Sequence, residues 1–326
     1  MILVRSPLRI TLGGGGTDLP VYYERYGGMF VTAAIEVYVY VSVLKPFESG
    51  ILLKYGHGGT EKVATIDQIA HSLIREVLRL CAPEDWTPQI EITTLADVPA
   101  GTGLGSSSAC ACALLKALTT FFQPNAHESC SELAENACHL EMSVLREPIG
   151  KQDAYASAFG GLTPFVIDKQ GDVTAQPRMD WRIQEQLERR LHLYFTGYSR
   201  SASEILRPVA AGGADDNLHI IRHLGDQMLT SLHAGSLWNV GPIFTEQWRR
   251  KVERSPNATN AHIDHLYNVG MAAGASGGKL VGAGGGGFLL FYAPDGDRLE
   301  FAMAREGVSR FPFRLEEGSG TLVVCE

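Results

Sequence analysis

The stretch "VPAGTGLGSSSACACALLKAL", from Val98 to Leu118, constrains this chain more than any other. It sets glycines at 101, 103 and 105 and serines at 106 to 108 directly ahead of a run of helix formers. A junction of that kind presents the first N–H groups of a helix and the positive end of its dipole, which together suit an anion. A plain N-cap would account for one serine, but not for the preceding G-x-G-x-G, so phosphate binding is the favoured reading. The usual nucleotide loops do not fit. A Walker loop fails at Gly278-Lys279, where Ala273 replaces its first glycine and Leu280 its final hydroxyl residue. A dinucleotide fingerprint fits Gly282, Gly284 and Gly287 in spacing only, because the apolar run "FLLFYAP" that follows reads as a strand and not a helix.

The 326 residues suffice for a large core in one big or two medium domains, and 45% apolar with 20% charged residues excludes disorder as the main state. No apolar run is long enough to span a bilayer, and "MILVRSPLRI" reads as a strand rather than a signal peptide. Six cysteines without a C-x-x-C pair read as reduced thiols, so a cytoplasmic location is expected. A net charge of −8 argues against a nucleic-acid partner. It leaves room for a phosphorylated substrate, which a few local cations can hold inside an acidic protein.

Alternation predicts strands over 29–44 and 89–95, with further strands over 162–168, 191–197, 288–293 and 321–325. Apolar spacing predicts helices over 66–81, 105–122, 128–145, 202–210, 216–233, 237–254, 261–273 and 297–308. The result is α+β in both halves, with a soft boundary in the polar stretch 170–190. On the helix 128–145 the buried stripe is Leu133, Ala137, Leu140 and Val144, and Glu141 flanks it. A carboxylate there needs a partner, either a metal ion or a cation such as Arg146 or Lys151.

Three segments then match one family together and in order. They are "SPLRITLGGGGTDLP", the P-x-x-x-G-L-G-S-S pattern of Pro99, Gly103, Leu104, Gly105, Ser106 and Ser107, and "VGAGGGGF" near the C-terminus. The chain resembles the GHMP kinases. The resemblance spans nearly the whole chain and implies a ribosomal protein S5 domain 2-like fold for residues 1–180 and a ferredoxin-like fold for 181–326, with the active site between them. Within the family, "REPIGKQDAYASAFGG" and "TGYSRSASEIL" look most like members that phosphorylate the anomeric hydroxyl of D-glycero-D-manno-heptose 7-phosphate. Fucokinase- and galactokinase-like substrates, and a non-catalytic sugar sensor, are the alternatives.

The same resemblance implies roles. Asp153 is the expected base, or an orienting group, with a helix N-terminal charge as its plainer reading; Arg9 is expected to steady the transferring phosphoryl group. Gly101, Gly103, Leu104, Gly105, Ser106, Ser107 and Ser108 are expected to hold ATP, and Ser107 with Glu141 a Mg2+ ion. Gly14, Gly15, Gly16, Thr17 and Asp18 are expected at the sugar, Thr17 and Asp18 also as helix caps, with Gly284 and Gly285 closing the site. Lys151 and Arg200 are the candidates for the substrate's own phosphate. The partners implied are ATP and a small sugar phosphate, with no nucleic acid and no membrane, and a homodimer left open.

Overall fold

Seventeen residues of alternating β-branched and aromatic character make Gly28–Leu44 (β2) the spine of the protein. The computed structural model describes residues 1–56, 59–199 and 216–325. Over Val31–Val43 β2 pairs antiparallel with Ile2–Gly13 (β1). On its other edge β2 is shared between two strands. Its first half pairs with Leu162–Ile167 (β6), and its second half with Gln89–Ala96 (β5). Gly50–Tyr55 (β3) joins β5 in parallel, Thr60–Val63 (β4) edges β3, and Val173–Ala175 (β7) edges β6.

Short helix Pro20–Tyr26 (α1) links β1 to β2. Helices Ser72–Cys81 (α2), Ser106–Phe122 (α3), Cys130–Cys138 (α4) and Gln152–Phe159 (α5) pack with this sheet into one large apolar core, α3 lying directly over β1 and β2. Helix Trp181–Glu188 (α6) then leads to the second sheet. Its strands are Leu191–Phe195 (β8), Gly277–Leu280 (β9), Phe288–Tyr292 (β10) and Arg310–Phe311 (β11), in the order β11-β8-β10-β9. Helices Asp216–His233 (α7), Val240–Arg254 (α8) and Ala261–Ala272 (α9) lie between β8 and β9, and Gly296–Arg305 (α10) between β10 and β11. Renumbered within the sheet this is β-α-β-β-α-β in order 4-1-3-2, the ferredoxin-like arrangement. Helix α7 covers β1 and β2 and packs on α8, so the two halves meet over a continuous apolar cluster.

One strand near the C-terminus joins the first sheet rather than the second. Leu322–Cys325 (β12) crosses back and pairs antiparallel with β1, because β1 offers its outer edge. The helix expected over 66–81 also begins late. Thr65 caps only a short turn, Ile66–Gln68, and the α-helix starts at Ser72. The helix expected over 202–210 lies outside the described residues.

Candidate active site

Gly105 ends the glycine run in a left-handed conformation (φ 80°) and starts α3, and no side chain caps the helix. The serines are therefore not spent on capping, and the first turn of a 17-residue helix opens onto a cavity of about 1090 Å3 between the two halves. Gly103 takes φ 82°, and a Cβ there would lie 2.7 Å from the Val281 carbonyl oxygen. The C-terminal glycine loop is pressed against the first one at this point, and only glycine permits it.

Arg9, on β1, reaches across the cavity floor to α5. Its Nε and Nη2 donate to the two oxygens of Asp153 at 2.8 and 2.7 Å, and its Nη1 donates to the Gly103 carbonyl at 2.6 Å. One guanidinium thus ties the carboxylate to the glycine loop. Next to it, the amide of Gln152 donates to the Thr11 hydroxyl at 2.6 Å. Asp18 is buried and accepts from the backbone N–H groups of Gly16 (2.8 Å) and Gln152 (3.0 Å). Burial pushes its carboxyl above the usual range, against the pull of those two donors.

Glu141 departs from expectation in an instructive way. The helix expected over 128–145 ends at Cys138, and His139–Val144 winds as a π-turn, with Leu145 N–H bonded to the Leu140 carbonyl. The wider turn shifts the register. Val144, expected in the buried stripe, is 44% exposed, whereas Glu141 is 1% exposed. The Ser107 hydroxyl donates to its Oε1 at 2.6 Å, and its Oε2 has no hydrogen-bond partner. Burial raises its carboxyl to about 7, the Ser107 and Ser108 hydroxyls opposing. Neither Arg146 nor Lys151 is its partner in these bonds.

The cavity brings together Arg9, Gly15, Gly16, Asp18, Gly101, Gly103, Gly105, Ser106, Ser107, Ser108, Glu141, Asp153 and Gly284. Five expected residues do not line it, each for a visible reason. Gly14 is packed on Met29, whose carbonyl oxygen would sit 2.2 Å from a Cβ. The Thr17 hydroxyl donates to the carbonyls of Gly14 and Met29, so it staples β1 to β2. Leu104 is buried in the apolar core. Gly285 gives its N–H to the Ala258 carbonyl at 2.7 Å. Lys151 points the other way, its ammonium held by both oxygens of Glu135 (2.7 and 2.8 Å) and by the Gly171 carbonyl (2.7 Å). Arg200 lies outside the described residues. What sequence reasoning missed is the part of the cavity wall formed by Gln247, Trp248, Lys251, Arg254 and Lys279. The only signal in the sequence is Lys279 itself, beside Gly278.

An uncapped helix N-terminus, an Arg–carboxylate pair and an open acidic position around one cavity define a phosphoryl-transfer enzyme. Residues 69–161 match the family described as GHMP kinases N terminal domain, a family whose phosphate donor is ATP. The chain is 28% identical over 310 residues to the D-glycero-alpha-D-manno-heptose 7-phosphate kinase of Campylobacter jejuni, covering 89% of each chain. It is also 28% identical to the L-fucokinase/L-fucose-1-P guanylyltransferase of Bacteroides fragilis, covering 89% of this chain but 34% of that larger protein. Among solved structures, a D-glycero-D-manno-heptose 1-phosphate kinase from Bacteroides thetaiotaomicron superposes with a TM-score of 0.82 at 25% identity, covering 100% of this chain and 99% of the other.

Proposed function

We propose that the chain is a sugar kinase that transfers the γ-phosphoryl group of ATP to the anomeric hydroxyl of D-glycero-D-manno-heptose 7-phosphate, giving the 1,7-bisphosphate. The observation that carries the reading is the meeting, in one cavity, of the uncapped α3 N-terminus, the Arg9–Asp153 pair and the segment Gly15–Asp18. Likeness to the Campylobacter heptose kinase over nine-tenths of both chains supports the substrate. A cytoplasmic location, where ATP is supplied, fits; among the described residues no helix is long and apolar enough to cross a membrane.

In this reading Gly101, Gly103, Gly105 and Ser106 to Ser108 receive the ATP phosphates through backbone N–H groups and hydroxyls. The base of the nucleotide takes the side of the cavity lined by Tyr55 and Leu95. Asp18 accepts sugar hydroxyls, Gly15 and Gly16 letting the backbone approach them. Asp153 accepts a hydrogen bond from the anomeric hydroxyl and takes its proton as that oxygen bonds to the γ-phosphorus and the bond to the β-phosphate oxygen breaks, releasing ADP. An anomeric hydroxyl is more acidic than an ordinary alcohol, which suits a weak base. Arg9 orients the carboxylate and offers positive charge to the phosphoryl group in transit.

The unsatisfied Oε2 of Glu141, beside the Ser107 hydroxyl, fits a magnesium ion whose remaining ligands are phosphate oxygens and water. Among the described residues no cluster of three or more His, Cys, Asp or Glu could hold a metal, so the nucleotide would have to complete the site. When bound, the ion would neutralise phosphate charge.

Phosphorus NMR of the protein with ATP, magnesium and the heptose 7-phosphate, and with fucose or galactose in parallel, tests the reading. A new anomeric phosphate signal with the heptose phosphate alone is expected. Turnover of an unphosphorylated sugar instead would keep the kinase and remove the heptose assignment. ATP binding without turnover of any of them would favour a sugar sensor.

A further inference from the structure

We propose that Lys251 and Lys279, with Arg254 beside them, form an anion-holding wall for the phosphate that the acceptor sugar carries before transfer. The inference rests on the reading above that the acceptor is a phosphorylated sugar, and it replaces Lys151 in that role.

The wall belongs to the second half of the chain. Lys251 and Arg254 lie three residues apart on α8, Gln247 one turn earlier, and Lys279 on the neighbouring strand β9; all four line the cavity. Lys279 is only 5% exposed. Its ammonium donates to the Leu12 carbonyl at 3.3 Å and to the Gln247 side-chain oxygen at 2.8 Å, and lies 4.6 Å from the centre of the Phe244 ring. The Lys251 ammonium donates to the carbonyls of Leu280 (3.1 Å) and Gly282 (2.6 Å). Among the described residues neither lysine forms an ion pair. An ammonium has three donors, so each keeps one beyond the two engaged.

Two neighbouring lysines, Lys279 buried and Lys251 half-buried, are costly to charge without a carboxylate partner. Burial, and then the charges of Arg254 and Arg9, bring Lys251 down to about 7. Burial, and then Lys251 and Arg9, bring Lys279 well below its usual range. A scaffold would be served better by methionine or glutamine at both positions. A phosphate dianion placed among these groups reverses the penalty, because it favours the charged form of each.

The position of the wall favours the acceptor over the donor. Lys279 is bonded to the carbonyl of Leu12, at the end of β1, and the Arg254 guanidinium faces Gly16 at 3.3 Å from where a Cβ would stand. The Gly16 contact lies on the segment assigned to the sugar, and Leu12 lies just ahead of it on the same stretch of chain. The donor loop already has the N-terminus of α3. Arg9 is occupied by Asp153, so it is not the group that neutralises a second phosphate.

The decisive variant is Lys251→Met, since Lys251 is partly exposed and its replacement leaves the buried core alone; Lys279→Met is the second, with thermal melts confirming that both fold. Steady-state kinetics should show the KM for heptose 7-phosphate rising about tenfold or more, the scale of one lost charge-assisted hydrogen bond, with the KM for ATP nearly unchanged. Lys251→Arg should restore much of the loss. A rise in the KM for ATP with the acceptor unaffected would assign the wall to the donor and overturn the proposal, as would no change in either. Calorimetry with inorganic phosphate separates this from the fate of the substrate reading. If the wild-type protein fails to turn over heptose 7-phosphate, that reading falls; phosphate heat present in wild type and lost in Lys251→Met would still support the wall, and equal heats would overturn it.

Discussion

Arg9 holds Asp153 through two parallel hydrogen bonds, Nε to Oδ1 at 2.8 Å and Nη2 to Oδ2 at 2.7 Å, across 144 residues of chain. The guanidinium fork sets the plane of the carboxylate, and its third donor fixes the glycine loop through Gly103. Asp153→Asn would face that fork with an amide donor and lose the proton acceptor. It should lower kcat by about 10²–10⁴, the usual worth of a positioned base, while ATP binding by calorimetry is unchanged. Arg9→Lys keeps the charge but not the fork, and should lower kcat by about 10². Near-normal turnover in Asp153→Asn would remove Asp153 from the reaction.

Lys151 gives the opposite expectation. Its ammonium closes a cluster with Glu135, Tyr155 and the Gly171 carbonyl, away from the cavity. Lys151→Met leaves the Gly171 carbonyl without its donor and Glu135 with the Tyr155 hydroxyl alone, at about 1–3 kcal/mol. The melting temperature should fall by several degrees with the acceptor KM unchanged. A large rise in that KM at an unchanged melting temperature would return Lys151 to the substrate site.

What was legible in the sequence was what local pattern controls. The alternation of 29–44 yields the spine β2, and the serine run locates the start of α3 within a residue. Glu141 was legible as a carboxylate near a buried face, but the π-turn that turns it fully inward leaves no mark in composition. Thr17 was misread because its partners, the carbonyls of Gly14 and Met29, include one twelve residues away on the next strand. Lys251 and Lys279 went unassigned for a similar reason. Lys251, on an amphipathic helix, reads as solvent-facing, and only the docking of the second half on the first makes it and Lys279, on β9, a cavity wall.

The lowered Lys251 sets a pH dependence on the acceptor side. The charged groups facing it are Arg9, Arg254 and Lys279, all cationic, with the Trp248 ring 5.9 Å away. In the free enzyme Lys251 loses its proton as pH rises through about 7, far below the ordinary lysine value. A sugar phosphate is already a dianion there, its second pKa being about 6. The kcat/KM for the acceptor should therefore fall above pH 7, since it reports the free enzyme. Lys251→Arg holds its charge through the range and should flatten that limb. A profile identical in both proteins would detach Lys251 from the acceptor.

Glu141 titrates in the same window with the opposite consequence. Its folded value of about 7 exceeds the ordinary 4.5, so the folded protein binds this proton more tightly than the unfolded chain. Its contribution to stability is complete below about pH 4.5 and is lost as pH rises to about 7, above which the buried carboxylate costs up to about 3 kcal/mol without a metal. Glu141→Gln removes the charge and keeps the shape. In metal-free buffer at pH 8 its melting temperature should exceed that of the wild-type protein, and the gain should vanish near pH 4.5. Magnesium with ATP should raise the wild-type melting temperature at pH 8 and leave that of Glu141→Gln nearly where ATP alone puts it, because the stabilisation comes from giving Oε2 its missing partner. Equal magnesium shifts in the two proteins would take the ion away from Glu141. A variant less stable than wild type at pH 8 would mean that the buried carboxylate already has a compensating partner in the folded protein.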